Sequence, residues 1–214
     1  MFALLISCMR GRTELREDEA AVEYIPKCVT ETLDFGDIFP RELPIEVDLG
    51  CGDGTFLAAM ATKNSSHNFL GVERLLGRVR STCRKVARLN VNNARVLRIE
   101  SSYAVANLLP RDSVTAFHLL FPDPWPKRRH QRRRSFTDGF LLAIHGDLVA
   151  DGLLHIATDD ADYFRHIKSV IDAAHIFATS HEQNNFPPSS FEQKFLASEV
   201  PIHRILLRKT SPVK

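Results

Sequence analysis

The sequence predicts an α/β protein built on a Rossmann-like, doubly wound and mainly parallel sheet. Three observations carry that expectation. Short apolar runs alternate with segments of helical periodicity along most of the 214 residues, and such alternation builds parallel sheets with helical crossovers. The first strong apolar run, 45–49, ends in Gly50-Cys51-Gly52-Asp53-Gly54, a turn in which the backbone can bend sharply and lie close to a ligand. Acids close four of the expected strands: Asp48, Glu73, Asp123 and Asp159. Ligands of such sheets bind outside the carboxyl ends of the strands, so these acids mark the ligand edge.

The elements follow in order. Residues 10–24 mix Arg with Glu and Asp and read as a solvated arm or a short helix; Pro26, Gly36, Pro40 and Pro44 then punctuate an irregular lead-in. The expected organisation is an N-terminal arm over 1–35 and one domain over 36–214. Strand 45–49 and its glycine turn lead to a helix with Phe56, Leu57, Met60 and Ala61 on one face. A second strand, 68–72, precedes a basic helix over 75–90. A third strand, 94–99, is followed by a short helix over 103–109, and a fourth by way of 114–121. A helix over 136–148, a turn at Asp151-Gly152, a strand over 153–157 and a helix over 163–174 continue the pattern. Two extended segments, 176–180 and 202–208, finish it.

Composition sets limits on function. Apolar residues make up 44% and charged residues 25%, as in an ordinary soluble globular protein. Net charge is only +2, so positive charge matters where it is local. Cys8, Cys28, Cys51 and Cys83 are scattered, without CxxC or Cys/His pairing, and the histidines show no HxH or HExxH spacing. The expectation is therefore a reducing cytoplasm, no disulfide framework and no metal. The apolar stretch 2–9 is short and lacks a preceding positive residue, so neither a secretion signal nor a membrane partner is expected.

Positive charge gathers at one place, Phe121-Pro122-Asp123-Pro124-Trp125-Pro126-Lys127-Arg128-Arg129-His130-Gln131-Arg132-Arg133-Arg134. The three prolines remove three backbone donors and stiffen the path as it leaves the fourth strand. Held there are one carboxylate, Asp123, and one indole, Trp125. Six Lys/Arg follow within eight residues, a density suited to a polyphosphate such as RNA. Trp125 offers a stacking surface or a structural plug. His118, in an apolar strand, reads as a satisfied core histidine, and Phe136, Phe140 and Phe164 read as core.

The glycine turn fits two cofactor classes. A dinucleotide fingerprint would place a third glycine at position 55, which is Thr55. Asp48, just ahead of the turn, repels a pyrophosphate but suits a cation. S-adenosylmethionine is cationic and carries no phosphate, and Glu73 lies where an acid meets ribose hydroxyls. The expected fold is therefore of the S-adenosylmethionine-dependent methyltransferase type.

With these residues in view, the chain resembles the bacterial TrmB-type tRNA (guanine-N7-)-methyltransferases. The resemblance rests on Asp48-Leu49-Gly50-Cys51-Gly52-Asp53-Gly54, Gly71-Val72-Glu73, the elbow from Phe121 to Lys127 with its basic tail, Ala157-Thr158-Asp159 and Ser190-Phe191-Glu192-Gln193-Lys194-Phe195. It implies methyl transfer to N7 of guanosine 46 in the tRNA variable loop; a monomer or weak homodimer is expected. It implies cofactor binding by Asp48, Gly50, Gly52, Glu73 and Asp123, with Asp123 also catalytic. Lys127, Asp159, Ser189, Ser190, Phe191 and Glu192 are implied for the guanosine. Arg128, Arg129, Arg132, Arg133 and Arg134 are expected on RNA phosphates. Where the family has an acid or amide after the third strand, this chain reads Ser101-Ser102-Tyr103-Ala104, so the adenine contact falls to backbone, Ser102 or Tyr103. Three alternatives stay open: a methylase of exocyclic amines, an RNA-binding module with a vestigial cofactor pocket, and a nicotinamide oxidoreductase.

Overall fold

A computed structural model describes residues 14–124, 136–182 and 185–210. In chain order the described elements are α1 (Glu17–Ala20), β1 (Glu23–Tyr24), α2 (Phe35–Ile38), β2 (Ile45–Leu49), α3 (Thr55–Lys63), β3 (Asn68–Val72), α4 (Leu76–Arg88), β4 (Ala94–Leu97) and α5 (Ser101–Tyr103). A single π-turn, Ala104–Leu108, leads to β5 (Val114–Leu120), α6 (Asp138–Asp147), β6 (Leu148–Thr158), α7 (Ala161–Ala174), β7 (Phe177–Thr179), α8 (Ser190–Ala197) and β8 (His203–Lys209).

The strands form one eight-stranded sheet in the order β1-β4-β3-β2-β5-β6-β8-β7. All neighbours are parallel except β6–β8 and β7–β8. This is the expected mainly parallel, doubly wound sheet. From β2 the chain winds outward through β3 and β4, then returns to place β5 on the other side of β2. The switch point lies between β2 and β5, where a ligand crevice opens at the strand ends. Helices cover both faces of the sheet. One apolar cluster packs Val47, Phe117, Leu141, Ile144 and Tyr163 together, and another packs Phe56, Phe69, Val79 and Val86. β2 and β3 are buried along their whole length, as central parallel strands are.

Three segments differ in detail from the expectation. Residues 14–34 are tied to the domain: Glu23–Tyr24 pair in parallel with Val96–Leu97, and Val22 and Leu33 are buried. The Asp151-Gly152 turn lies inside β6 rather than before it. Asp151 takes a left-handed φ of 60°, and Leu148 still pairs with Val114 while Leu153 pairs with Ala116. The turn is absorbed as an irregularity between paired residues, a conformation an aspartate tolerates better than most. The short helix expected over 103–109 is α5 followed by the π-turn, closed by Leu109 N–H donating to the Ala104 carbonyl at 3.0 Å.

Candidate active site

The site grows from the end of β2. Asp48 is buried, and its Oδ2 has no hydrogen-bond partner among the described residues. Burial first, and then the neighbouring charge of Glu73, push its carboxyl up to about 8. The chain then turns through Gly50, Gly52 and Gly54 with φ of 77°, 58° and 76°, a left-handed path that glycine follows without steric cost. The turn is pinned to the next strand, Gly50 and Cys51 donating to the Val72 carbonyl at 2.8 and 3.0 Å. Gly54 has a second reason to lack a side chain, because a Cβ there would sit 2.9 Å from the Thr82 Cα.

Glu73 closes β3 one residue beyond the pairing of Leu49 with Val72. It is buried; its Oε1 accepts from the Leu75 amide at 2.8 Å, and its Oε2 lies 3.7 Å from the Arg78 guanidinium. Glu100 caps α5, accepting from the Tyr103 amide at 2.9 Å. Together Leu49, Gly50, Glu73, Leu75, Glu100, Ser101, Phe121, Asp123 and Phe140 line a cleft of about 520 Å³.

A second hollow of about 270 Å³ adjoins it, lined by Asp48, Gly52, Asp53, Phe121, Asp123, Ser189, Ser190, Phe191 and Lys194. Gly50, Arg78, Leu120, Phe121 and Asp123 border both spaces. Phe121 makes the junction. It leaves β5 at a left-handed φ of 53°, strained for an aromatic residue, while its amide still donates to the Ala157 carbonyl at 2.7 Å. Its ring lies 5.3 Å from that of Phe195 and 6.3 Å from that of Phe191.

The far wall is the start of α8. Ser189 caps the helix, its hydroxyl accepting from the Glu192 amide at 3.2 Å. Ser190 reaches Asp53, Phe191 stays 43% exposed, and Glu192 is held by Arg204. Behind this segment Phe186 stacks on His155 at 4.4 Å and meets His118 edge-on at 5.1 Å. His118 is buried and bonded to Glu46 at 2.8 Å, the satisfied core histidine that its apolar surroundings predict.

The structure thus brings Asp48, Gly50, Gly52, Glu73, Asp123, Ser189, Ser190 and Phe191 around two joined hollows. Asp159 follows the end of β6, half-buried, outside the lining of either hollow. Ser102 and Tyr103 do not form the cleft wall; Glu100 and Ser101 do. The reason is helical: α5 starts at Ser101, so Tyr103 is turned away, and its hydroxyl donates to the Val29 carbonyl at 2.9 Å. An acid at a strand end selects Glu100 by the rule that selects Asp48 and Glu73, and that signal is present in the sequence. Trp125, Lys127, Arg128, Arg129, Arg132, Arg133 and Arg134 lie outside the described residues.

Residues 42–205 match the model of a family described as "Putative methyltransferase". A tRNA (guanine-N(7)-)-methyltransferase of Buchnera aphidicola subsp. Acyrthosiphon pisum is 31% identical over 88% of this chain and 82% of its own length. The enzyme of that description from Geobacter metallireducens is 30% identical over 87% of this chain and 92% of its own. The chain belongs to this tRNA (guanine-N(7)-)-methyltransferase family. Among solved structures, the 16S rRNA methyltransferase KamB superposes with a TM-score of 0.59 over 85% of this chain and 95% of its own, at 12% identity. That likeness fixes the fold, which is the methyltransferase type read from the glycine turn and its flanking acids. Among the described residues of this family member, no helix is long and apolar enough to cross a membrane.

Proposed function

We propose that the chain transfers the methyl group of S-adenosylmethionine to N7 of guanosine 46 in the variable loop of tRNA, in the cytoplasm. The observation that carries this reading is the position of Asp123, which borders both hollows at once. A group that must serve a methyl donor on one side and an acceptor base on the other belongs at such a junction.

The donor set fits the cofactor. Asp48 presents a buried carboxylate oxygen with no partner among the described residues, and such a group calls for a cation or a hydrogen-bond donor. Glu73 and Glu100 stand on the wall of the larger cleft, where they suit hydroxyl and amino groups, while Asp48 borders the smaller hollow that joins it. When bound, S-adenosylmethionine supplies an electrophilic methyl carbon on a sulfonium. Asp48 would face the cationic part, Glu73 the ribose, and Glu100 with Ser101 the adenine end.

Guanine N7 has an in-plane lone pair and no proton, so none of these residues need act as a general base. The chain's work is orientation and electrostatics. Asp123, joined in this reading by Asp159, accepts from the guanine N1–H and N2–H donors and favours the positive charge that develops on the base. Ser189, Ser190 and Phe191 would form the wall against which the guanosine rests, with Phe191 exposed for stacking and Glu192, outside the lining of either hollow, held by Arg204 beside them. Lys127 and the arginines at 128, 129 and 132–134 would hold the RNA backbone, which predicts a steep loss of tRNA affinity with salt.

The test is methyl transfer from labelled S-adenosylmethionine to unmodified tRNA, with nucleoside analysis of the product. A 7-methylguanosine peak that vanishes when the variable-loop guanosine is replaced is the expected result. Asp123→Ala should lower turnover about a hundredfold or more, much more than it lowers cofactor affinity. Undiminished turnover in that variant would remove Asp123 from the chemistry.

A further inference from the structure

The methyl-transfer reading leaves Asp53, Thr55 and Lys85 without a task, yet they form one closed polar cluster with Ser190. The Ser190 hydroxyl lies 2.7 and 2.9 Å from the two Asp53 carboxylate oxygens and 2.6 Å from the Thr55 hydroxyl. Lys85 reaches Asp53 Oδ2 at 2.9 Å and also donates to the Thr55 hydroxyl. The donors and acceptors match: Lys85 donates to Asp53 and Thr55, the Thr55 hydroxyl donates to Asp53 Oδ2 at 3.1 Å, and the Ser190 hydroxyl donates within reach of both Asp53 and Thr55. Such a network strengthens each of its bonds.

The network joins two parts of the site that the chain keeps far apart, Ser190 being 137 residues beyond Asp53. Asp53 belongs to the glycine turn at the end of β2, and Ser190 is the first residue of α8. Burial raises the Asp53 carboxyl, but the hydrogen bonds from Lys85, Ser190 and Thr55 outweigh it and hold the group at about 2. It is therefore a charged acceptor throughout the physiological range.

We propose that Asp53, set in place by Lys85 and Thr55, is a positioning residue that latches the guanosine-binding segment to the cofactor turn, so that filling either hollow strengthens binding in the other. The proposal rests on the assignment of the two hollows given above. Its physical basis is that Asp53 sits on the same turn as Gly50 and Gly52, which line the hollows, so a ligand packed against the turn adds to the restraint that Lys85 and Thr55 place on Asp53. A ligand that fixes the turn also fixes Asp53, and Ser190 then meets an acceptor already in position. The ordering cost of the α8 start falls, and by linkage the same free energy returns to the cofactor when tRNA binds first.

The test measures tRNA affinity with and without saturating S-adenosylhomocysteine, together with amide exchange of residues 189–197 in the protein alone. In the wild type the nucleoside should tighten tRNA binding by about fivefold or more. Ser190→Ala and Asp53→Ala should each reduce that factor to about twofold or less. The double variant should lose no more than either single change, and Ser190→Thr, which keeps the hydroxyl, should restore the factor. Exchange of the α8 amides should quicken in Ser190→Ala while the β2 amides stay protected, which separates a lost latch from a lost fold. Wild-type coupling in Ser190→Ala, or losses that add in the double variant, would overturn the latch. A wild type that binds both ligands independently would overturn the latch and leave the two hollows as assigned. A wild type that neither binds tRNA nor methylates it would overturn that assignment instead.

Discussion

Glu46 and Asp48 are two buried acids on one strand, two residues apart and so on the same face of the sheet. The protein treats them in opposite ways. Glu46 has His118 Nε2 at 2.8 Å and His67 Nε2 at 3.9 Å, so its carboxyl group has partners from β5 and from the residue just before β3. Asp48 has an oxygen with no partner among the described residues, and the charge of Glu73 adds to the burial that disfavours its ionised form. A satisfied buried acid is part of the fold, whereas an unsatisfied one at a strand end is kept for something that arrives later. Asp147 shows that an orphan oxygen alone is not enough. Its Oδ2 is also unpartnered among the described residues, but Arg111 sits 2.9 Å from its other oxygen, away from the switch point.

If that contrast is right, removing each acid's role should damage a different property. Asp48→Asn keeps the shape and deletes the charge meant for a cationic ligand. Its expected effect is a loss of S-adenosylmethionine affinity of about a hundredfold, with a cofactor-free fold at least as stable as the wild type at pH 8. Titration calorimetry beside urea unfolding reads both, and a stable variant with wild-type affinity would break the comparison. His118→Ala should do the reverse. It strips Glu46 of its main partner, at a cost of about 2 kcal/mol in unfolding free energy. Affinity of the folded protein for the cofactor should stay as it was. A His118→Ala protein of normal stability that fails to bind would make this histidine part of the site.

The contrast also explains how far the sequence can be read. The sheet is legible because parallel strands need crossover helices, and runs such as 45–49 and 68–72 announce buried strands whether or not they carry an acid. The end of β2 is legible because a glycine turn has few other reasons to follow a buried aspartate. Pairings without a local signal are not. Glu23–Tyr24 is too short to carry a period, and its place beside β4 follows from an open sheet edge. That Asp151 bends inside β6 depends on pairing at both Leu148 and Leu153. Glu46–His118 and Asp53–Ser190 are contacts across strands and across the chain, and neither residue type announces its partner. The contact of the Tyr103 hydroxyl with the Val29 carbonyl, 74 residues away, is of the same kind and has no local signal either.

A smaller effect sharpens the comparison further, through pH. Burial and Glu73 raise Asp48 from about 4 to about 8, so the native state holds a proton that the unfolded chain has released. Its contribution to stability is complete below pH 4 and is lost as pH rises toward 8. His155 runs the other way. Burial, then His118 and Arg204, lower it to about 3, so the unfolded chain takes up the proton first. Its contribution is complete above about pH 6.5 and is lost as pH falls toward 3. Between pH 4 and 6 Asp48 and Asp147, the latter raised to about 6 chiefly by burial, both oppose His155, and from 6.5 to 8 Asp48 acts without either. The cofactor-free protein should therefore lose stability across that upper window, by at most about 1.4 kcal/mol per pH unit. Asp48→Asn should flatten the window; below about pH 6 it should leave Asp147 opposing His155, so that little net slope remains there. Saturating S-adenosylmethionine should flatten it in the wild type as well, because a cation beside Asp48 favours the charged form in the native state. Urea unfolding at four pH values decides the matter. An unchanged slope between pH 6.5 and 8 in Asp48→Asn would mean that another group carries it, and that Asp48 is not the unmet charge around which this site is built.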